Sequence, residues 1–305
     1  MDQGPKRRKV TVVEVGPRDG LQNERAEVST PDKIAFIDLL SAANLPVIEV
    51  TAFVSPRWVP QMRDAADVYA GIARRGDIRY SALVPNLAGF ERATRAGVRD
   101  VGIVVAASET FSRKNINQGI EASLAVYAQV CKSALAAGVR VRGYVSTAFG
   151  CPYEGEVAPG VVAALAVRLV DMGVFEVAIS DTIGIAHPGQ VPTVLDPVLA
   201  GVSANRVALH LHDTRGMALA NVLAALPLGI ATFDASAGGL GGCPYAPGAA
   251  GNLATEDLIY MLDGLGIDTG VSLERLNEAS AFIASRLDHP LASRYAQAVA
   301  ASRPA

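Results

Sequence analysis

No run of about 20 apolar residues occurs anywhere in this sequence, which removes a membrane-spanning helix from consideration. Cysteine is scarce. Cys131, Cys151 and Cys243 form no CxxC and, being three, cannot all pair with one another, which suits a reduced cytosolic chain rather than a disulfide scaffold. Charge is thin as well: 19% of residues are charged and the formal sum is −3, so there is no electrostatic case for nucleic acid or a membrane surface as partner. The opening MDQGPKRRKV has no apolar core and is too short for a convincing transit peptide; PKRRK reads as a solvated tail in preference to a nuclear address. The closing SRPA carries no peroxisomal tripeptide. A cytoplasmic protein is the expectation.

What is present is regular alternation. Half of the 305 residues are hydrophobic, enough for a large core in one domain. Strand-like runs recur at Val10–Val15, Val47–Phe53, Ile78–Val84, Val101–Ala107, Val139–Thr147, Phe175–Ser180, Arg206–His212 and Thr232–Ala237. Helical periodicity lies between them, at Pro31–Ala43, Val59–Arg74, Leu87–Ala96, Gly119–Ala137, Val157–Met172, Gly189–Leu199 and Gly216–Pro227. Such alternation argues for a parallel sheet with helical crossovers. Eight units without a domain-breaking linker fit an α/β fold of the (β/α)8 TIM-barrel type better than an open sheet. The doubly wound alternative wants a glycine fingerprint after the first strand, where Gly16-Pro17-Arg18-Asp19-Gly20 stands instead.

Thr30 before Pro31 reads as an N-cap, and Gly97 and Gly138 as left-handed helix ends. Beyond Thr255 the chain reads as additional C-terminal helices, Thr255–Leu265, Ser272–Leu287 and Leu291–Ser302. The expected layout is a basic tail over 1–9, a catalytic barrel over 10–270, and C-terminal helices over 271–305 packed on the barrel or against a partner.

Half of the four histidines sit in VALHLHDTRG, as His210 and His212 at a strand's end. Residues two apart on a strand share a face, so the pair is half of a metal site beside Asp213 or the polar face of an ordinary strand. A barrel's active site lies at the C-terminal ends of its strands, where the other polar residues can decide. Strand one ends in Arg18-Asp19, strand two carries Glu49, strand five Arg142 and Tyr144, and strand six ends at Asp181. After strand eight come the glycine-rich loop Gly238–Gly251, holding Cys243, and then Asn252. Arg18 with Glu49 also reads as a structural ion pair, Asp181 as a turn cap, and Cys243 as a small buried hydrophobe. Asp19, His210, His212 and Asn252 together offer two oxygens and two nitrogens without a thiolate, a set suited to Mg²⁺ or Mn²⁺. Such a cation chelates hydroxyl and carbonyl oxygens and stabilises an enolate, which points to carbon–carbon cleavage or formation.

Seven blocks carry a family resemblance. GPRDGLQNE (Gly16–Glu24), VIEVTAFVSPRWVPQM (Val47–Met62), VRGYVS (Val141–Ser146), GCPYEG (Gly150–Gly155), DTIG (Asp181–Gly184), HLHDTRGMALAN (His210–Asn221) and GLGGCPYAPGAAGNLATEDLIYML (Gly239–Leu262) resemble the 3-hydroxy-3-methylglutaryl-CoA lyases. The likeness runs from Val10 to about Leu287. It implies divalent-cation-assisted cleavage of hydroxymethylglutaryl-CoA to acetoacetate and acetyl-CoA, with Asp19, His210, His212 and Asn252 as metal ligands. It implies that Arg18 stabilises the enolate, that Glu49 and Asp181 support it, and that Cys243 delivers the proton to carbon. His210 is the candidate base for the tertiary hydroxyl, with metal-bound water as the rival. Lys114, Asn115 and Tyr144 match positions expected to contact the acyl-CoA, and a homodimer is expected.

Departures are modest: Ala250 replaces a small hydroxyl residue, Arg25 stands where lysine is common, and no cysteine follows Cys243. The same chemistry on a longer-branched hydroxyglutaryl-CoA is the alternative activity, and a non-catalytic metal-binding barrel the alternative class.

Overall fold

Each strand of this chain has two working faces, and their division of labour positions everything else. On the strand Arg140–Ser146, Val141 and Val145 join the apolar layer under the helices, while Arg142 and Tyr144 point into the barrel. On Val207–Leu211, Leu209 and Leu211 face the helices, and His210 looks inward toward Asp234 on the next strand. Side chains of Leu, Ile or Phe size buried in that outer layer contribute about 1.5–3 kcal/mol each, so the fold is held from outside the barrel. Its interior mixes polar groups with small apolar ones such as Ala178 and Ala208.

The computed structural model describes residues 8–241 and 251–302. Its eight strands are β1 (Thr11–Glu14), β2 (Val47–Ala52), β3 (Arg79–Leu83), β4 (Asp100–Ala106), β5 (Arg140–Ser146), β6 (Glu176–Asp181), β7 (Val207–Leu211) and β8 (Thr232–Ala235). They pair in chain order, all parallel, and β8 returns to β1 through Thr11↔Thr232 to Glu14↔Ala235, closing the barrel. The helices are α1 (Thr30–Ala42), α2 (Ala65–Gly71), α3 (Leu87–Arg95), α4 (Glu109–Ile116), α5 (Ile120–Ala136), α6 (Pro159–Asp171), α7 (Gln190–Gly201), α8 (Ala218–Ala225), α9 (Thr255–Gly264), α10 (Leu273–Ala284) and α11 (Arg294–Ser302). This is the (β/α)8 TIM barrel with C-terminal helices that the alternation predicts. No helix among the described residues is long and apolar enough to cross a membrane.

The local differences have causes. The single helix expected over Val59–Arg74 is a 3₁₀ turn, Pro60–Met62, and then the short α2. Pro60 starts the turn without an N–H to give, and Ile72 turns extended right after Gly71. Gly71 has a packing reason: an added Cβ would meet the side chain of Ile34 on α1 at 2.4 Å. Helix α4 escapes the periodicity because it has few apolar residues; Ser108 caps it, accepting from Phe111 N, and it ends at left-handed Asn117. Ser29, not Thr30, caps α1, its Oγ accepting from Asp32 N at 3.2 Å.

Candidate active site

At the C-terminal end of β1 the backbone makes one wide π-turn, Gly16–Gly20, in which Asp19 N and Gly20 N both donate to Val15 O. The turn is wedged between two neighbours. A Cβ on Gly16 would lie 2.6 Å from Glu14 Oε1, and one on Gly20 would lie 2.8 Å from Leu240 Cβ. Only glycine fits at either contact, so the turn has one seat, and that seat aims Arg18 and Asp19 at the barrel mouth.

Asn252 arrives from the opposite direction. The segment entering α9 runs beside the end of β7: Leu253 N donates to Leu211 O at 2.9 Å, Asp213 N donates to Gly251 O at 3.1 Å, and Asn252 pairs across from His212. A Cβ on Gly251 would fall 1.9 Å from Gly241 O, so this close crossing also requires glycine.

Four of the residues singled out from sequence therefore meet. His210 Nε2 and His212 Nε2 are 3.3 Å apart, and they lie 3.7 and 3.9 Å from Asp19 Oδ2. Asn252 Nδ2 donates to that same oxygen and to Leu240 O, both at 3.0 Å, while Asn252 Oδ1 is buried with no partner. Adjacent ligands of a cation at about 2.1 Å stand about 3 Å apart in an octahedral shell, and these spacings are close to that. The electrostatics agree with the geometry. Three buried carboxyl groups, Glu49, Glu176 and Asp234, and the partly buried Asp19 make their guanidinium ion pairs with two arginines, Arg18 and Arg142, among the described residues. An orphaned amide oxygen, two converging imidazoles and surplus negative charge fit a divalent cation held by Asp19, His210, His212 and Asn252.

Each titrating group has a cause for its state. Burial pushes Asp19 up, but Arg18, His210 and His212 outweigh it and hold its carboxyl well below the usual range. Burial raises Glu49, with Arg18 Nε, 2.6 Å from its Oε2, opposing. Burial and the neighbouring His210 lower His212 to about 4, so at neutral pH it is an uncharged donor of a lone pair. Arg18 commits Nε to Glu49 and Nη1 to Asp19, and its Nη2 has no hydrogen-bond partner among the described residues.

His210 has a partner on each side of its ring. Its Nδ1 lies 3.1 Å from Asp234 Oδ2 while its Nε2 faces Asp19 and His212. Nδ1 is thus paired with Asp234, and Nε2 is the nitrogen that faces the space shared with His212 and Asp19.

The remaining singled-out residues lie apart from this cluster. Asp181 sits on the helix-facing side of β6, opposite in parity to Glu176, and its two oxygens accept from Ile185 N and Ala186 N at 3.0 Å. Burial pushes its carboxyl up to about 6. Asp213 likewise serves the backbone, accepting from Ala218 N at the start of α8. Tyr144 is buried below the histidines, edge-on to His210, with its hydroxyl between Arg142 and Glu49. Lys114 and Asn115 are exposed on α4, and Lys114 Nζ lies 4.6 Å from the ring centre of Tyr153 in the β5–α6 connection. Cys243 lies outside the described residues.

Sequence reasoning passed over Asp234, Glu176 and Glu14. The signal for Asp234 was parity: two positions before Ser236 on β8, it shares an inward face whose polar residues were sought only at the strand ends. Glu14 faces the other way. Its Oε1 accepts from Gly16 N and Ala237 N at 2.8 Å and its Oε2 from Thr255 Oγ1 at 2.7 Å, joining the loops after β1 and β8.

Known proteins share this arrangement over most of its length. Rat mitochondrial hydroxymethylglutaryl-CoA lyase is 55% identical over 294 residues, 96% of this chain and 90% of that protein. The crystal structure of hydroxymethylglutaryl-CoA lyase from Pseudomonas aeruginosa superimposes with a TM-score of 0.95 at 50% identity, covering 97% of this chain and 99% of that one. An Acinetobacter baumannii HMG-CoA lyase, solved in complex with coenzyme A and 3-methylmalate, gives 0.91 at 40% identity over 95% of both chains. The sequence matches the HMGL-like family from residue 9 to residue 283, which takes in every strand of the barrel and both halves of the cation cluster. The chain belongs to the HMGL-like family.

Proposed function

We propose that the chain is a carbon–carbon lyase that splits 3-hydroxy-3-methylglutaryl-CoA into acetoacetate and acetyl-CoA. The observation that carries this reading is the meeting of Asp19, His210, His212 and Asn252 beside an Arg18 guanidinium with one nitrogen to spare.

The net reaction breaks one C–C bond and replaces one O–H by one C–H. The tertiary hydroxyl gives up its proton to water in the site, its O–H electron pair becoming the second bond of the acetoacetate ketone as the C2–C3 bond breaks. The bond's electrons pass to C2, forming the enolate of acetyl-CoA, and a proton placed on C2 completes the product. A divalent cation, Mg²⁺ or Mn²⁺ by its oxygen and nitrogen donors, would supply Lewis acidity that lowers the hydroxyl's pKa. Arg18, fixed by Glu49 and Asp19, presents Nη2 to the thioester oxygen on which charge grows. Cys243 delivers the proton to C2 from the glycine-rich loop. His210 acts as a ligand and not as the base. Asp181 supports the site by shaping the loop after β6, and Tyr144 by steadying Glu49. Lys114 and Asn115, exposed on α4, contact the coenzyme A portion. The same reading takes the chain as a cytoplasmic homodimer.

Purified protein with Mg²⁺ or Mn²⁺ is expected to release acetoacetate from hydroxymethylglutaryl-CoA, with a higher kcat/KM than on a longer-branched hydroxyglutaryl-CoA. The reverse ranking would reassign the substrate, and no product from either thioester at any pH would leave a non-catalytic barrel. Cys243→Ala is expected to lower kcat while KM and Mn²⁺ affinity hold, as for a proton donor needed only at the chemical step. An unchanged kcat would remove the thiol from the mechanism.

A further inference from the structure

One side chain inside the barrel reaches His210 through one intermediary and Arg18 through two. Arg142, on β5, sends Nη1 and Nη2 as a fork to Asp234 at 2.9 and 2.7 Å, and Nε to Glu176 at 2.7 Å. The same Nη1 donates to Tyr144 Oη at 2.8 Å. Asp234 Oδ2 then faces His210 Nδ1 at 3.1 Å, and Tyr144 Oη faces Glu49 Oε1 at 3.3 Å, with Glu49 holding Arg18. All seven of these side chains are buried.

Direction along these contacts follows from chemistry. A guanidinium has five N–H donors and no acceptor. Tyr144 must therefore accept from Arg142 and pass its own proton toward Glu49. Both oxygens of Asp234 accept from the fork, so its only further use is to accept again, and His210 Nδ1 must carry the hydrogen. That leaves a lone pair on His210 Nε2, aimed at the space shared with His212 and Asp19. We infer that Arg142 is a positioning residue that sets the tautomer of His210 through Asp234 and the aim of Arg18 through Tyr144 and Glu49. Glu176 keeps the fork in its plane. A lysine there would keep the charge and lose the fork. The inference rests on the reading of His210 as a metal ligand and deepens it, in line with the carboxylates that commonly orient ligating histidines.

The test reads the tautomer directly. The chain has four histidines, His187, His210, His212 and His289, few enough for ¹⁵N-histidine spectra to be assigned by substitution. In the metal-free protein His210 is expected as the Nδ1–H form. In Asp234→Asn, whose amide donates where the carboxylate accepted, it is expected to shift toward Nε2–H, and Mn²⁺ affinity measured by electron paramagnetic resonance should fall about 10–100-fold. Arg142→Lys should weaken Mn²⁺ binding at least about 10-fold. Tyr144→Phe cuts only the second branch: tautomer and Mn²⁺ affinity should stay, while kcat falls as Arg18 loses its aim. An Nε2–H His210 in the unaltered protein would overturn the inference. So would folded Asp234→Asn and Arg142→Lys proteins that keep the original tautomer and affinity. If those two do not fold, a Tyr144→Phe protein that loses Mn²⁺ affinity would overturn it by itself. Apart from the kcat of Tyr144→Phe, none of these readouts needs a thioester, so a chain that cleaves nothing yet shows the others would sink the proposed activity and leave Arg142 in its role toward His210.

Discussion

Two sets of buried carboxylates in this barrel keep company of different kinds. Asp19 and Asp234, on the inner side, would be raised by burial, but guanidiniums outweigh it and both are held below the usual range. Glu14 and Glu256, on the helix side, meet only neutral donors. Glu14 has Gly16 N, Ala237 N and Thr255 Oγ1; Glu256 has Gly238 N and Ser280 Oγ. Burial pushes both up to about 7. Dipoles can orient a buried carboxyl but do not replace the water it lost, whereas a full opposite charge can. Asp19 and Asp234 therefore stay anionic, available to a cation, while Glu49 beside them is raised by burial despite Arg18. The outer set holds loops together and is close to giving up its charge.

The difference is sharpest if one member of the inner set is neutralised. Asp19→Asn removes one proposed ligand of the cation and the partner of Arg18 Nη1, so kcat/KM should fall by at least about 10²-fold. Thermal unfolding should move little, because the cluster carries more negative than positive charge without its cation. Kinetics beside a melting curve check this. A variant that melts early while the folded fraction keeps its activity would make Asp19 a structural staple and erase the contrast.

Loop crossings hold the cluster together, so Gly251→Ala comes next in size. Its Cβ would sit 1.9 Å from Gly241 O, backbone against backbone, and neither strand of the crossing can yield without shifting Asn252. A loss of about 3 kcal/mol is expected, in line with strongly disruptive single substitutions. Gly138→Ala is the control: it meets only the strain of a φ of 64°, with nothing within 4 Å, and should cost about 1 kcal/mol. Equal losses in urea titrations would mean that conformational strain, and not the crossing, sets the cost.

How much of this was legible beforehand follows the same inner and outer division. The barrel was readable because apolar strands and amphipathic helices repeat with their own periods, and each repeat carries its own evidence. Asp19, His210, His212 and Asn252 were readable because they stand where barrel strands end. Their convergence was not, since it depends on a π-turn and a glycine crossing that no periodicity encodes. The place of Asp181 was not legible either: the parity of β6 sets it beside the loop that follows and not in the cation cluster, a difference of one residue of register. Asp234 looked like an ordinary strand residue because its partners, Arg142 and His210, come from elsewhere in the chain.

The outer set offers the smallest effect, and its sign can be worked out. Glu14 titrates at about 7 in the folded chain against 4.5 for an ordinary glutamate in water. Between those two pH values the native state binds more protons than the unfolded state, so stability falls as pH rises through the interval. The contribution is whole below about 4.5 and gone above about 7, and a shift of that size is worth up to about 3 kcal/mol. Glu256 and Asp181, also raised, act in the same direction, while His212, lowered to about 4, acts in the opposite one. Only the difference between the unaltered chain and Glu14→Gln isolates the group. Gln keeps one oxygen for Gly16 N and Ala237 N and turns its amide to Thr255, whose hydroxyl can accept as readily as donate. The variant should match the unaltered chain at pH 5 and exceed it in urea midpoint at pH 8. Parallel curves across that range would mean that three neutral donors hold Glu14 ionised after all, and the two sets of carboxylates would then differ in partners but not in charge.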